Sequence, residues 1–299
     1  MRPRTGAQIL VDQLIVHGVD TAYCVPGESY LAVLDALYDA QKQVRLIVCR
    51  QEGGAAYMAD AYGKLTGRPG ICFVTRGPGA TNASVGVHTA FQDSTPMILF
   101  IGQVARSSLE RGAFQELDFG RMYGQMAKWV VRIDDPGRIP ELVARAFTQA
   151  TSGRPGPVVI ALPEDMLRES AAVVDAEPYK VVQASPGAAE MVRLREMLAA
   201  SRRPMMLLGG TTWTAPGVGD ISAFAEANRL ATASTFRRQD RIDNLHPCYA
   251  GDLGIGPDPQ LAERVREADL ILTVGSRLSE IVSSGYTLFD VPRPRQRLV

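Results

Sequence analysis

Four short segments of the sequence carry residues suited to chemistry: Pro26-Gly27-Glu28, Arg50-Gln51-Glu52-Gly53-Gly54, Gly77-Pro78-Gly79-Ala80-Thr81-Asn82 and Gly102-Gln103. A glycine turn ahead of a helix lets backbone N–H groups approach a planar or anionic ligand closely. Glu52 has two readings at this level. It is either a carboxylate stabilising a helix N-terminus by about 0.3–1 kcal/mol, or a buried acid whose proton affinity is tuned for catalysis. The GPGATN segment is likewise either a plain turn with a Thr or Asn cap or part of a ligand-binding edge. His17, His88 and His246 show no ligand spacing, so no metal site is expected. No phosphate-loop lysine motif and no GxSxG nucleophile elbow occurs.

The pattern of elements between these segments is what would gather them. Short runs rich in Val, Ile, Leu and Phe alternate with longer stretches of helical period, which predicts an α/β protein. The expected architecture is two three-layer α/β/α domains with mainly parallel sheets. Strands are predicted at Thr21 to Val25, Val44 to Cys49, Ile71 to Thr75 and Met97 to Ile101, each running into one of the four segments. Open α/β sheets bind ligands at the carboxyl ends of their strands, so the four segments belong to one edge. A helix capped by Thr5 and ended by Gly18 precedes them, and a helix near Ala83 to Phe91 follows GPGATN. Trp129 to Ile133, a helix from Pro140 to Ala150 and Val158 to Leu162 complete the first unit.

The text from Pro163 to Gly187 is rich in proline and charge and has no clean period, so it reads as a linker. The expected boundaries are 1–165, a linker over 166–187, and a second Rossmann-like domain over 188–299. That domain should hold a helix from Ala188 to Ala200 and strands at Pro204 to Leu208, Ala231 to Thr235 and Leu270 to Val274. Helices are expected around Ile221 to Arg229 and Gln260 to Glu267, with a polar loop from 236 to about Pro259. The final VPRPRQRLV resembles the start of another strand, and the chain is read as the front part of something longer.

Composition narrows the partners. The 299 residues are 46% hydrophobic, and 32 basic side chains balance 32 acidic ones, which argues against a nucleic-acid binder that neutralises phosphates with clustered Lys and Arg. No run of about 18 apolar residues occurs, and the N-terminus lacks the apolar core of a signal peptide. Cys24, Cys49 and Cys72 lie in apolar runs that predict buried, reduced thiols, and hence a cytoplasmic address with no membrane partner.

The ordered set of motifs resembles the thiamine-diphosphate (ThDP) enzymes of the acetolactate synthase, pyruvate oxidase and benzoylformate decarboxylase superfamily, and most of all its acetolactate synthase branch. The resembling text is VPG at 25–27, RQEGGAAYMADAYGKLTG, GPGATN, DSTPMILFIGQV, AFQELD at 113–118 and Lys128, spanning nearly all of residues 5–165. The second unit resembles the family's central domain more loosely. The resemblance implies an enzyme that forms or cleaves a C–C bond next to the carbonyl of a 2-keto acid. It makes Glu52 the acid that hydrogen-bonds the aminopyrimidine of ThDP and promotes loss of the thiazolium C2 proton. Pro26, Gly27, Pro78, Gly79 and Asn82 would bind the cofactor, lining its pyrimidine and the substrate side. Gln115 would join Glu52 as a catalytic residue, with Glu28, Phe114 and Lys128 on the substrate side. For Lys128 a solvated lysine is an equal alternative.

The departures are also specific. Glu28 stands where the family has glycine, and Gln51 where it has histidine. Gly124 falls where some members place an arginine near the substrate carboxylate, leaving Arg121 or Arg76 as substitutes. Flavin-binding members have a flexible glycine-containing loop where this chain reads Phe236-Arg237-Arg238-Gln239-Asp240, so FAD is not expected, although Gly209-Gly210 and Gly275-Ser276-Arg277 remain nucleotide candidates. The family holds Mg²⁺ and the diphosphate in a further domain marked by Gly-Asp-Gly. Neither Gly219-Asp220 nor Gly251-Asp252 continues that motif, so the clamp is expected from a domain outside this chain. A homodimer or larger assembly through the pyrimidine-binding domain is implied. The alternatives are a non-catalytic scaffold and one subunit of a split enzyme.

Overall fold

The first helix starts as its sequence predicts. The Thr5 hydroxyl accepts from the Gln8 N–H and the Gln8 side chain accepts from the Thr5 N–H, a reciprocal capping box. The computed structural model describes residues 2–299, and its contacts divide the chain into one unit ending at Val182 and another over Gln183–Val299. In chain order the first contains β1 (Arg4–Thr5), α1 (Gly6–Val16), β2 (Thr21–Cys24), α2 (Leu31–Asp39), β3 (Arg45–Val48), α3 (Glu52–Thr66) and β4 (Gly70–Val74). It continues with α4 (Gly77–Asp93), β5 (Met97–Gln103), α5 (Phe119–Tyr123), β6 (Trp129–Arg132), α6 (Ile139–Thr151), β7 (Pro157–Pro163) and β8 (Ser170–Ala171).

Six strands pair in the order β3-β2-β4-β5-β7-β6, all parallel. The runs ICFV, MILFIGQ and PVVIALP are buried throughout because they occupy the middle of a sheet covered on both faces. Ile71, Phe73, Ile98, Phe100, Val158 and Ile160 point to the face carrying α1, α2 and α6. Cys72, Val74, Leu99, Ile101 and Val159 point to the face carrying α3, α4 and α5. The order in which strands are added reverses between β2 and β4, so the crevice of this sheet opens between the loops that follow those two strands.

Several expectations are corrected. GPGATN is not a loop: α4 begins at Gly77, because Pro78 fits a helix start where its missing N–H is no loss. Cys24 and Cys72 are buried, and burial pushes the Cys24 thiol up to about 11. Cys49 is only half-buried, because it follows β3, an edge strand with exposed positions. Residues 166–182, read as linker, lie within the first unit. Met166 and Leu167 are in its core, β8 pairs antiparallel with β1, and the Tyr179 N–H donates to Nδ1 of His17 at 3.2 Å.

The second unit runs α7 (Ala188–Ala200), β9 (Pro204–Leu208), α8 (Ala215–Ala227), β10 (Ala231–Thr235), β11 (Tyr249–Leu253), α9 (Pro259–Glu267), β12 (Leu270–Val274) and β13 (Arg297–Leu298). Its parallel sheet has the order β11-β10-β9-β12-β13, with α9 packed on one face and α8 on the other. β11 lies where the sequence reads as polar loop, since YAGDL has no apolar run; the terminal run does form a strand, paired with β12.

Candidate active site at the carboxyl edge of the first sheet

Parallel strands deliver their following loops to one edge, and here Pro26-Gly27-Glu28, Glu52, the start of α4 and Gln103 all emerge there. Gly27 and Thr75 sit shoulder to shoulder across the crevice. A Cβ on Gly27 would lie 2.5 Å from the Thr75 Cβ, so only glycine admits this approach. Ser29 Oγ and Thr75 Oγ1 share a hydrogen bond of 2.9 Å across the same gap. Tyr30, buried beneath, donates its hydroxyl to the Val25 carbonyl and fixes the turn.

Glu52 is the first residue of α3, whose N-cap is Gln51; the Gln51 side chain accepts from the Gly54 N–H at 2.8 Å. The Glu52 carboxylate reaches towards α4, where Asn82 Nδ2 donates to Oε2 at 2.9 Å. Oε1 accepts no hydrogen bond among the described residues. Next to it, Gly79 packs closely: a Cβ there would meet Thr75 Cγ2 at 2.9 Å and lie 3.5 Å from Oε1, so glycine lets the head of α4 come up to the carboxylate. Glu52, expected to be largely buried, is only half-buried, at the head of the helix that follows the edge strand β3.

Gln115 is drawn to the same edge by its backbone, whose carbonyl accepts from the Gly77 N–H at 2.9 Å. Its φ of 63° turns the chain sharply there and leaves Phe114 exposed beside it. Gln103 ties down the end of this loop: buried, it donates from Nε2 to the Leu117 carbonyl and accepts from the Val104 N–H. Pro26 and Pro78 are exposed on the two sides of the crevice.

Lys128 is a correction. It precedes β6 and therefore sits at the amino edge, opposite Glu52. Its ammonium donates to the carbonyls of Gln149 and Ser152 at the end of α6, where a helix terminus favours a cation, and burial moves its pKa down. Among the substitutes for the missing arginine, Arg121 projects into solvent and pairs with Asp118. Arg76 lies at the crevice itself, buried and paired with Glu28, an arrangement that adjacent loops in sequence give no hint of.

In the second unit the turns Gly209-Gly210 and Gly275-Ser276 close on one another at the reversal between β9 and β12. A Cβ on Gly210 would lie 2.0 Å from the Gly275 carbonyl oxygen. Gly219-Asp220 lies inside α8, and Asp252 accepts from the Ser234 hydroxyl, so neither pair forms an ion-binding loop. Among the described residues no group of three or more His, Cys, Asp or Glu could hold a metal ion, and no helix is long and apolar enough to cross a membrane.

A parallel sheet with an acid at its carboxyl edge, faced by the head of a glycine-rich helix, defines a class of α/β cofactor-binding domain. Comparison gives the class its family. Residues 4–122 match the N-terminal TPP-binding domain of thiamine pyrophosphate enzymes, and residues 191–299 match their central domain. The acetolactate synthase large subunit of Parasynechococcus marenigrum is 35% identical over 305 residues, covering 99% of this chain and 49% of that protein. The isozyme 2 large subunit of Escherichia coli is 34% identical over 287 residues, covering 95% and 52%. The acetolactate synthase of Arthrospira platensis is 33% identical over 290 residues, covering 93% and 50%. The chain belongs to the acetolactate synthase-like thiamine-diphosphate enzymes, with sequence matching their N-terminal and central domains. It spans about half the length of the curated relatives it matches.

Proposed function

We propose that this chain is the pyrimidine-recognising and central portion of a ThDP-dependent enzyme that forms or cleaves the C–C bond beside the carbonyl of a 2-keto acid. The observation that carries this reading is the Glu52 carboxylate, oriented through Oε2 by Asn82, with Oε1 accepting no hydrogen bond among the described residues and the small Gly79 close beside it. That donor set fits the pyrimidine end of ThDP: a carboxylate oxygen able to share a proton with a ring nitrogen, and small residues that let a flat ring approach. When bound, ThDP supplies a carbon nucleophile that adds to the keto carbonyl. Glu52 holds and returns the proton at Oε1, and Asn82 keeps the carboxylate from rotating away. Gly27, Pro26 and Pro78 shape the walls, while Gln115, Phe114 and Glu28 face the incoming substrate.

Diphosphate and Mg²⁺ are held, in this reading, by residues outside the 299 described by this sequence. FAD has no part in this reading. Pairing of copies is supported by Tyr57 and Met58 on α3 and Val85 on α4, which are exposed apolar side chains on the two helices that carry Glu52 and Asn82. A cytoplasmic location accords with the free cysteines.

The test is Glu52→Gln in a complete enzyme containing this segment, read by the exchange of the C2 proton of bound ThDP. Loss of a positioned acid–base group predicts slowing by about 10²–10⁴-fold with folding nearly unchanged. Exchange at the parent rate removes Glu52 from the reaction.

A further inference from the structure

Arg76 is the charged group at the crevice that the proposed chemistry does not use. It is 9% exposed, at the end of the loop joining β4 to α4, directly across from the loop that follows β2. A guanidinium offers five N–H donors and no acceptor. Here one charged acceptor serves it, Glu28 Oε1 at 2.7 Å from Nη2, and its Nε is buried with no hydrogen-bond partner. Leaving a buried charged donor short of acceptors is costly, and such groups persist where a ligand completes them.

Glu28 is built differently. It lies on a single 3₁₀ turn over Glu28–Tyr30, its side chain is 66% exposed, and Arg76 is its one ion-pair partner among the described residues. An ion pair with so exposed a member contributes little, so the carboxylate can swing aside at small cost. Its partner is far less free to follow, since the Arg76 side chain is buried. The crevice thus holds a fixed cation and a movable anion.

We propose that Arg76 is the carboxylate anchor of the substrate and that Glu28 is an internal stand-in, occupying the guanidinium until an anionic substrate displaces it. Carboxylates match the guanidinium fork with two oxygens, which gives Arg76 the second acceptor it lacks. The proposal rests on reading this edge as the site of 2-keto acid chemistry, and it adds a sign that a merely structural ion pair would not have. Removing Glu28's charge strengthens binding of an anion and leaves binding of its neutral analogue alone.

The experiment titrates the 299-residue chain with pyruvate, and with neutral pyruvamide, by ligand-observed saturation-transfer NMR. The parent is compared with Glu28→Gln, Arg76→Lys and Arg76→Gln, each checked for folding by circular dichroism. Glu28→Gln is expected to tighten pyruvate about two- to five-fold, the counterpart of an exposed ion pair. Arg76→Gln should weaken it about ten-fold or more, with Arg76→Lys between, because charge is kept and the fork is lost. Pyruvamide should not respond. Should Arg76→Gln fail to fold, the sign of the Glu28→Gln effect decides. Unchanged or weaker pyruvate binding in Glu28→Gln, equal binding in a folded Arg76→Gln, or no pyruvate binding by the parent overturns the proposal. A parallel titration with ThDP of the parent and Glu52→Gln separates the two levels. Dependence of ThDP on Glu52 with pyruvate indifferent to Arg76 sinks the anchor alone, and the reverse sinks the ThDP reading while the anion site stands.

Discussion

The two faces of the first sheet are packed by opposite means. On the side of α1, α2 and α6 the helices bring Ile9, Leu10, Leu14, Leu37 and Phe147, large side chains that fill the space to the sheet. On the side of α3 and α4 they bring Ala55, Ala56, Ala59, Ala80, Ala83 and Ala90, with Gly63 and Gly86 at contacts where a Cβ would have no room. The large-residue face supplies most of the apolar burial, which scales with area removed from water. The small-residue face buries less per residue but draws two helix backbones together, and the heads of those two helices carry Glu52 and Asn82. Stability and site geometry are thereby assigned to different layers of one domain.

Substitutions should separate them. Phe147→Ala, on the large-residue face, is expected to cost about 3–5 kcal/mol of unfolding free energy, measured by denaturant titration. The Glu52 site, across the sheet, should keep its pyruvate and ThDP binding under folding conditions; loss of both would show the layers to be coupled. Gly86→Val, on the other face, adds atoms where even a Cβ would lie 2.5 Å from the Ala56 Cβ, and overpacking of this kind costs about 1–3 kcal/mol. Its signature should be a larger effect on ThDP binding than Phe147→Ala has, because it pushes α4, and so Asn82, away from α3. Equal effects would break the comparison.

The smallest effect concerns pH. His17 is buried on the large-residue face against Phe147 and Tyr179, and burial lowers its pKa. A histidine neutral in the fold takes up a proton on unfolding, so its contribution is fully present above about pH 6.5 and declines as the pH falls below that value. The melting temperature should drop between pH 7.5 and 5.5, and His17→Gln should flatten that slope. An unaltered slope in the variant would locate the titration elsewhere.

Much of this organisation is legible in the sequence, for reasons that particular residues show. The central strands are continuous apolar runs because both their faces are covered, and Thr5 with Gln8 spells out the first helix start. Where context decides, the text misleads. Leu31 and Tyr38 lie in a helical period yet are exposed, whereas Val33 takes the core position. Lys128 has the right neighbours for a substrate-side residue, but the parallel order puts it at the amino edge. The Glu28–Arg76 pair joins residues 48 apart and exists only because β2 and β4 are adjacent while β3 lies outside them. Spacing along the chain contains no trace of that adjacency.

One backbone bond has a use as an instrument. The Gly77 amide proton, at the head of α4, is held by the carbonyl of Gln115, so it is shielded only while the loop bearing Phe114 rests on the crevice. Its rate of exchange with deuterated solvent therefore counts the openings of that loop, one residue reporting how often the crevice is uncovered.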